Sequence, residues 1–237
     1  MTPNFRLSPS TLNIFLECPR CFWLHMRKKI QRPRGIFPSL PGGMDMVIKE
    51  YFDSFRKTQT LPPEIKDKID GRLFPDQVLL SDWRNWRKGL VYADEKLNAM
   101  LTGALDDCIV LDNCYIPLDY KTRGFAPDSN SRKYYGNQLD CYLLLLEANG
   151  FKTPDYAYLV YYYPHKVKNG GMVEFSIEPV KVSADAQQGR ETFTKAIKLL
   201  AGPIPVKNNT CEYCSWLEKR AGFNTTNAPE RTLFDSI

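Results

Sequence analysis

The sequence has no apolar run long enough to cross a bilayer. The longest, "CYLLLL" over 141–146, falls far short of the roughly 20 residues a spanning helix needs. The opening "MTPNFRLSPSTLN" carries no apolar signal region, so the expected location is cytoplasmic. Internal repeats and low-complexity segments are also missing. Charge of one sign is scarce: 32 basic residues stand against 27 acidic, and the net charge of +5 permits a polyanionic partner without demanding one. With 43% hydrophobic and 25% charged residues, wholesale disorder is excluded. The 237 residues suffice for a sizeable core, read as one domain over 1–225 with a flexible tail over 226–237. Within that domain a helical part is expected over about 1–100, a core over 101–200 and a cysteine-bearing segment over 201–220. Seven cysteines in a reducing compartment are not a disulfide framework, and their spacing suggests another use.

Ser8 and Ser10 are N-cap candidates for a helix carrying Leu12, Phe15, Leu16, Phe22, Trp23 and Met26, with a kink or restart at Pro19. Met44, Val47, Ile48, Tyr51, Phe52 and Phe55 recur at helical spacing and predict a second helix. From Leu101 the pattern shifts to strands. "LTGALDDCIVL" and "CYIPLDYKT", separated by Asp112 and Asn113, predict a β-hairpin, and a helix follows over about 134–147. Two more strands, "DYAYLVYYYP" and "MVEFSIEPVKV", precede a helix over about 185–200. The fold class is therefore mixed α and β, with a central mixed sheet flanked by helices.

Side chains alternate across a strand, so Asp119 and Lys121 share one face and Leu118 and Tyr120 the other. A carboxylate and an amine so placed make either a solvated ion pair or a metal site. Asp106, on the neighbouring strand of the hairpin, can reach the same cation if both carboxylates point the same way. Gln138 and Tyr142, four apart, present both polar ends on one helix face. In "SDWRNWRKGL", Trp83 and Trp86 alternate with Arg84 and Arg87, which suits either single-stranded nucleic acid or an amphipathic helix with solvated arginines. Cys18 and Cys21 form one C-x-x-C and Cys211 and Cys214 another, a spacing that lets one metal or cluster join distant segments. Cys108, Cys114 and Cys141 read as small core residues.

In order, "GALDD", "LDYKT" and "QLDCY" resemble the PD-(D/E)XK nuclease superfamily, and within it the RecB-like exonuclease branch that includes CRISPR-associated exonucleases. "LSPSTLNIFLECPRCFW" is similar to the opening of that branch. The resemblance implies a restriction-endonuclease-like core and a DNA nuclease dependent on Mg²⁺ or Mn²⁺. Asp106, Asp119 and the carbonyl of Tyr120 would be its ligands, Lys121 its catalytic cation, and Gln138 and Tyr142 its positioning pair. It also implies a [4Fe-4S] cluster on Cys18, Cys21, Cys211 and Cys214. The two-plus-two arrangement departs from the branch's common one-before-three-after pattern, which leaves zinc as the alternative. Many relatives carry a metal-binding His on the helix near Met44, whereas His25 and His165 both lie elsewhere. Asp45, at the edge of that helix's apolar stripe, is the expected substitute, or else an ion-pair partner of Lys49. The alternative function is a nucleic-acid-binding module whose metal site has decayed. In the tail, "RTLFD" with Leu233, Phe234 and Ile237 either docks on the core or resembles a short anchor for a DNA-processing partner such as the sliding clamp.

Overall fold

The computed structural model describes residues 3–33, 35 and 39–224. The expectations for the tail lie outside the described residues. No helix among the described residues is long and apolar enough to cross a membrane.

The N-terminal strand β1 (Phe5–Leu7) leads into α1 (Pro9–Glu17), capped by Ser8 through a reciprocal bond pair with Thr11. Pro19 restarts the chain as α2 (Pro19–Trp23), which ends in a π-helical turn over Leu24–Lys28. Proline lacks an N–H and fixes φ, so it suits a first helical turn and breaks a continuing one. Helix α3 (Ser39–Arg56) follows, then β2 (Arg72–Leu73), α4 (Gln77–Arg84), β3 (Leu90–Asp94) and β4 (Ala99–Gly103).

The expected hairpin is present as β5 (Asp107–Leu111) and β6 (Cys114–Thr122). Asp112 and Asn113 both take positive φ, 48° and 62°, the conformation a two-residue hairpin turn needs. However, "LTGALDDCIVL" is not one strand. It breaks after Gly103, and its first part belongs to a separate three-stranded sheet in the order β1-β4-β3. Asp106 therefore sits at the mouth of β5, not within a strand.

Helix α5 (Ser131–Ala148) links β6 to the parallel β7 (Tyr156–Val167), which pairs with β8 (Val173–Ser183). The larger sheet runs β2-β5-β6-β7-β8. Helix α6 (Ala186–Ala201) and helix α7 (Glu212–Asn224) are the last described elements, and α7 begins within the segment expected over 201–220 to carry the second cysteine pair.

Helices cover both faces of the larger sheet. On one, Ile48 and Phe52 of α3 pack on Leu118, Tyr120, Val160 and Tyr162. On the other, the α5 run from Leu139 to Leu146 packs with Phe193 of α6 on Leu159 and Tyr161. The α5–α6 crossing is close: a Cβ on Gly189 would lie 2.7 Å from the carbonyl oxygen of Asp140, so only glycine fits there.

Candidate active site

Strand alternation divides β6 as its sequence requires. Leu118 and Tyr120 enter the core beneath α3, while Asp119 and Lys121 turn toward α5. Asp119 is 1% exposed. The pairing of Asp107 with Leu118 brings Asp106 alongside Asp119, close enough for a carboxyl–carboxyl hydrogen bond. One helical turn of α5 supplies the other partners. Gln138 Nε2 donates to Asp119 Oδ1 at 3.0 Å and to the Tyr142 hydroxyl at 2.6 Å, while Gln138 Oε1 accepts from Lys121 Nζ at 3.1 Å. Lys121 also ion-pairs with Asp119 Oδ2. The five residues expected to act together are thus in one place.

Burial raises the Asp119 carboxyl to about 7; Lys121 opposes that rise and Asp106 adds to it. Burial would lower the Lys121 ammonium, but Asp119 and Asp106 hold it above its ordinary value, so it stays charged at neutral pH. It is held here as a fixed positive charge.

A carboxylate raised from 3.8 to about 7 keeps in the native state a proton that the unfolded chain releases. The metal-free protein therefore loses stability as pH rises from about 4 to about 7. In buffer without added divalent ions, Asp119→Asn is expected to be more stable than wild type by roughly 1–3 kcal/mol at pH 8 and equal to it near pH 4. A difference that does not change across thermal melts at those two pH values would contradict this electrostatic picture.

A family model described as the PD-(D/E)XK nuclease superfamily matches residues 48–218. The chain belongs to the PD-(D/E)XK nuclease superfamily. A search of curated proteins finds no match. PD-(D/E)XK nucleases use divalent metals, and the residues here fit one. Asp119 Oδ2 is buried with the Lys121 ammonium against it, and even so a second carboxylate, Asp106, meets Asp119 where the two charges repel. A divalent cation would offset that repulsion.

Two lysines lie at this PD-(D/E)XK centre, and sequence reasoning used one of them. Lys49 of α3 bridges Asp45 Oδ2 at 2.7 Å and Asp106 Oδ1 at 2.8 Å. Asp45 is thus linked to the carboxylate pair through Lys49. The helical i, i+4 spacing showed the Asp45–Lys49 pair, but the reach of Lys49 to Asp106, 57 residues along the chain, had no local signal.

The expectation that Trp83 and Arg84 meet nucleic acid fails. Trp83 is 2% exposed, stacked on Phe74 at 4.7 Å. Arg84 pairs with both oxygens of Asp53 and with Asp107, and its Nε donates to the Asp106 carbonyl at 2.7 Å. Asp107 is fully buried and also accepts from Arg56 at 2.5 Å and from the Tyr120 hydroxyl at 2.7 Å. These groups, unrecognised in the sequence apart from Arg84 and Tyr120, clamp the backbone that presents Asp106. Trp86 differs: it is 72% exposed, carries Arg87 over its ring, and lines a cleft of about 590 Å³ with Ser8, Ser10, Gly103, Gln138 and Tyr142.

Far along the chain from these residues, Cys18, Cys21, Cys211 and Cys214 meet in a buried group. Their sulphurs all lie within 4.8 Å of one another, with Cys21–Cys214 at 3.5 Å, Cys21–Cys211 at 3.6 Å and Cys18–Cys214 at 3.8 Å. Burial alone would raise the Cys18 thiol, but backbone hydrogen bonds from Asn208 and Cys21 bring it down to about 7. Cys108 and Cys141 are core residues, as expected, and Cys114 is half-buried.

Proposed function

We propose that this protein is a Mg²⁺- or Mn²⁺-dependent deoxyribonuclease of the RecB-like exonuclease branch, hydrolysing phosphodiester bonds at DNA ends or in single strands during repair, recombination or defence. The observation that carries this reading is the buried Asp119 meeting the half-buried Asp106, with Lys121 and Gln138 bonded against Asp119. Asp106, Asp119 and the Tyr120 carbonyl would hold the ion, and with Lys49 displaced Asp45 is a third carboxylate near the pair. The bound ion would supply Lewis-acid polarisation of the phosphodiester and a nucleophilic water at neutral pH.

The chain's own residues do the rest. Lys121 brings a permanent positive charge to the place where negative charge builds on phosphorus, inside a site shielded from water. Gln138 fixes the Lys121 ammonium with its carbonyl and the Asp119 carboxylate with its amide, so both keep their orientation through turnover. Tyr142 backs Gln138 and closes the site toward the cleft. Arg84 and Asp107 hold the Asp106 segment from below.

For the four cysteines we propose a single tetrahedral ion, zinc, in preference to [4Fe-4S]. A Zn–S bond of about 2.3 Å gives a tetrahedral edge of about 3.8 Å. Three of the six sulphur–sulphur edges are 3.5 to 3.8 Å and all six are within 4.8 Å, which is near that size. A cubane is held at four separate iron corners and needs thiolates standing much further apart.

A second reading, a binding module with a weak metal site, is favoured by one observation: α3 offers no histidine, and its Lys49 ammonium already occupies Asp106. Purified protein incubated with end-labelled single-stranded and duplex DNA separates the two readings. Cleavage that requires Mg²⁺ or Mn²⁺ supports the nuclease; tight binding without cleavage in either metal supports the module.

A further inference from the structure

Beyond Lys121, strand β6 runs into a cluster of aromatic rings and one arginine that the proposed chemistry does not use. Lys121 Nζ lies 4.7 Å from the centroid of Tyr135. Tyr135 touches Tyr134 and Tyr161, each at 6.4 Å between centroids. Arg123 lies over Tyr161 at 5.7 Å and over Phe125 at 4.5 Å. An unbroken chain of contacts thus leads from the catalytic cation to two rings left in solvent, Phe125 at 65% and Tyr134 at 54% exposure.

Those rings rest on a firm base. The Tyr161 hydroxyl shares a 2.8 Å hydrogen bond with buried Ser131, and the Arg123 amide donates to the Tyr162 carbonyl at 2.9 Å, continuing the β6–β7 pairing. The Arg123 guanidinium is less well served. Its Nη1 is buried with no hydrogen-bond partner among the described residues, and the fully exposed Asp128 on the same loop is the carboxylate that feels its charge. A buried donor left unpaired is costly, and a phosphate oxygen would satisfy it.

We propose that Arg123, Phe125 and Tyr134 form a subsite that grips single-stranded nucleic acid beside the scissile phosphate, the two rings stacking on unpaired bases and Arg123 taking the adjacent phosphate. Position and charge select this partner. Tyr134 stands one helical turn before Gln138, about 6 Å along the α5 axis, so bases held there sit next to the acidic pair. A duplex hides its base faces in the stack, whereas a single strand offers them to exposed rings flanked by cations. The location beside the scissile phosphate rests on the nuclease reading; the single-strand preference does not.

The test uses full-length protein carrying Asp119→Asn, so that cleavage cannot distort binding, with fluorescent single-stranded DNA and a blunt duplex of the same sequence. Adding Phe125→Ala or Tyr134→Ala should weaken single-strand binding about fivefold to a hundredfold each and leave duplex binding and the melting temperature unchanged. Phe125→Trp should retain binding. Arg123→Ala should lower the salt dependence of single-strand binding by about 0.7 in log–log slope, the worth of one phosphate contact. Single-strand affinity equal to the parent in either alanine variant, or an equal loss on duplex, overturns the subsite. Wild-type protein that binds single strands and leaves them intact in Mg²⁺ and Mn²⁺ would instead sink the nuclease reading alone.

Discussion

Lys121→Ala is expected to slow phosphodiester cleavage by about 10²–10³-fold or more, the usual loss when a preorganised charge is removed from a developing oxyanion. The ammonium is held from two sides, by the ion pair with Asp119 and by Gln138 Oε1 at 3.1 Å, and neighbouring carboxylates keep it protonated. Nothing else in the site can take its place without moving: Lys49 already bridges Asp45 and Asp106. The fold should survive, because the side chain faces the site and the apolar contacts of β6 are made by Leu118 and Tyr120. Metal binding should persist too, since the carboxylates remain, although Asp119 without its cation will hold its proton to higher pH. Single-turnover rates on labelled DNA and calorimetric Mn²⁺ titration at pH 8 separate these effects. A variant that cleaves at the wild-type rate removes Lys121 from the mechanism; one that loses Mn²⁺ binding as well makes it a structural partner of the carboxylates.

Much of this arrangement could be read from local rules. Alternation along "IPLDYKTRG" placed Asp119 and Lys121 on one face, and helical spacing placed Gln138 and Tyr142 together, because both depend on the geometry of a single element. The turn at Asp112 and Asn113 was legible for the same reason. What local rules missed was set by distant pairing. The three-residue β1 finds its partner β4 more than ninety residues later, so the small sheet left no periodic trace and the strand break at 104–106 went unseen. Composition misled at "SDWRNWRKGL", where an arginine among tryptophans looks solvated whether or not buried acids await it. Arg84 finds Asp53 31 residues before it and Asp107 23 residues after it, and only the folded chain shows that both are there. Trp86, three residues beyond the buried Trp83, stayed in solvent because α4 ends at Arg84 and the chain turns outward.

Removing one thiolate should cost the protein more stability than any of the changes above. Cys18 and Cys21 follow α1, whereas Cys211 and Cys214 open α7 some 190 residues later, so the sulphur cluster fastens the two ends of the described chain to each other. A structural ion that binds the folded chain and not the unfolded one contributes its binding energy to folding. Among the α7 residues whose burial is described, 212–220, Cys214 is the only buried one and Trp216 and Leu217 are each 53% exposed, so the helix is otherwise held by surface contacts such as the Glu218 pairs with Arg20 and Lys207. Cys211→Ser is therefore expected to release the metal and lower the melting temperature by on the order of 10 °C, equivalent to roughly 3–5 kcal/mol for a chain of this length. The proposed reacting groups lie at the mouth of β5, on β6 and on α5, outside the sulphur cluster, so at low temperature cleavage should outlast the metal. The first functional loss should come through α1, which Asn137 Nδ2 ties to α5 by bonds to the Pro9 carbonyl at 3.2 Å and Asn13 Oδ1 at 2.7 Å, and which borders the cleft at Ser8 and Ser10. Metal analysis with the visible spectrum of anaerobically purified wild type decides the ion: one zinc per chain and no colour fits the sulphur spacing, while a broad brown band with four irons per chain defeats it. Equal metal content in Cys211→Ser and wild type would end the idea that these cysteines hold a metal at all.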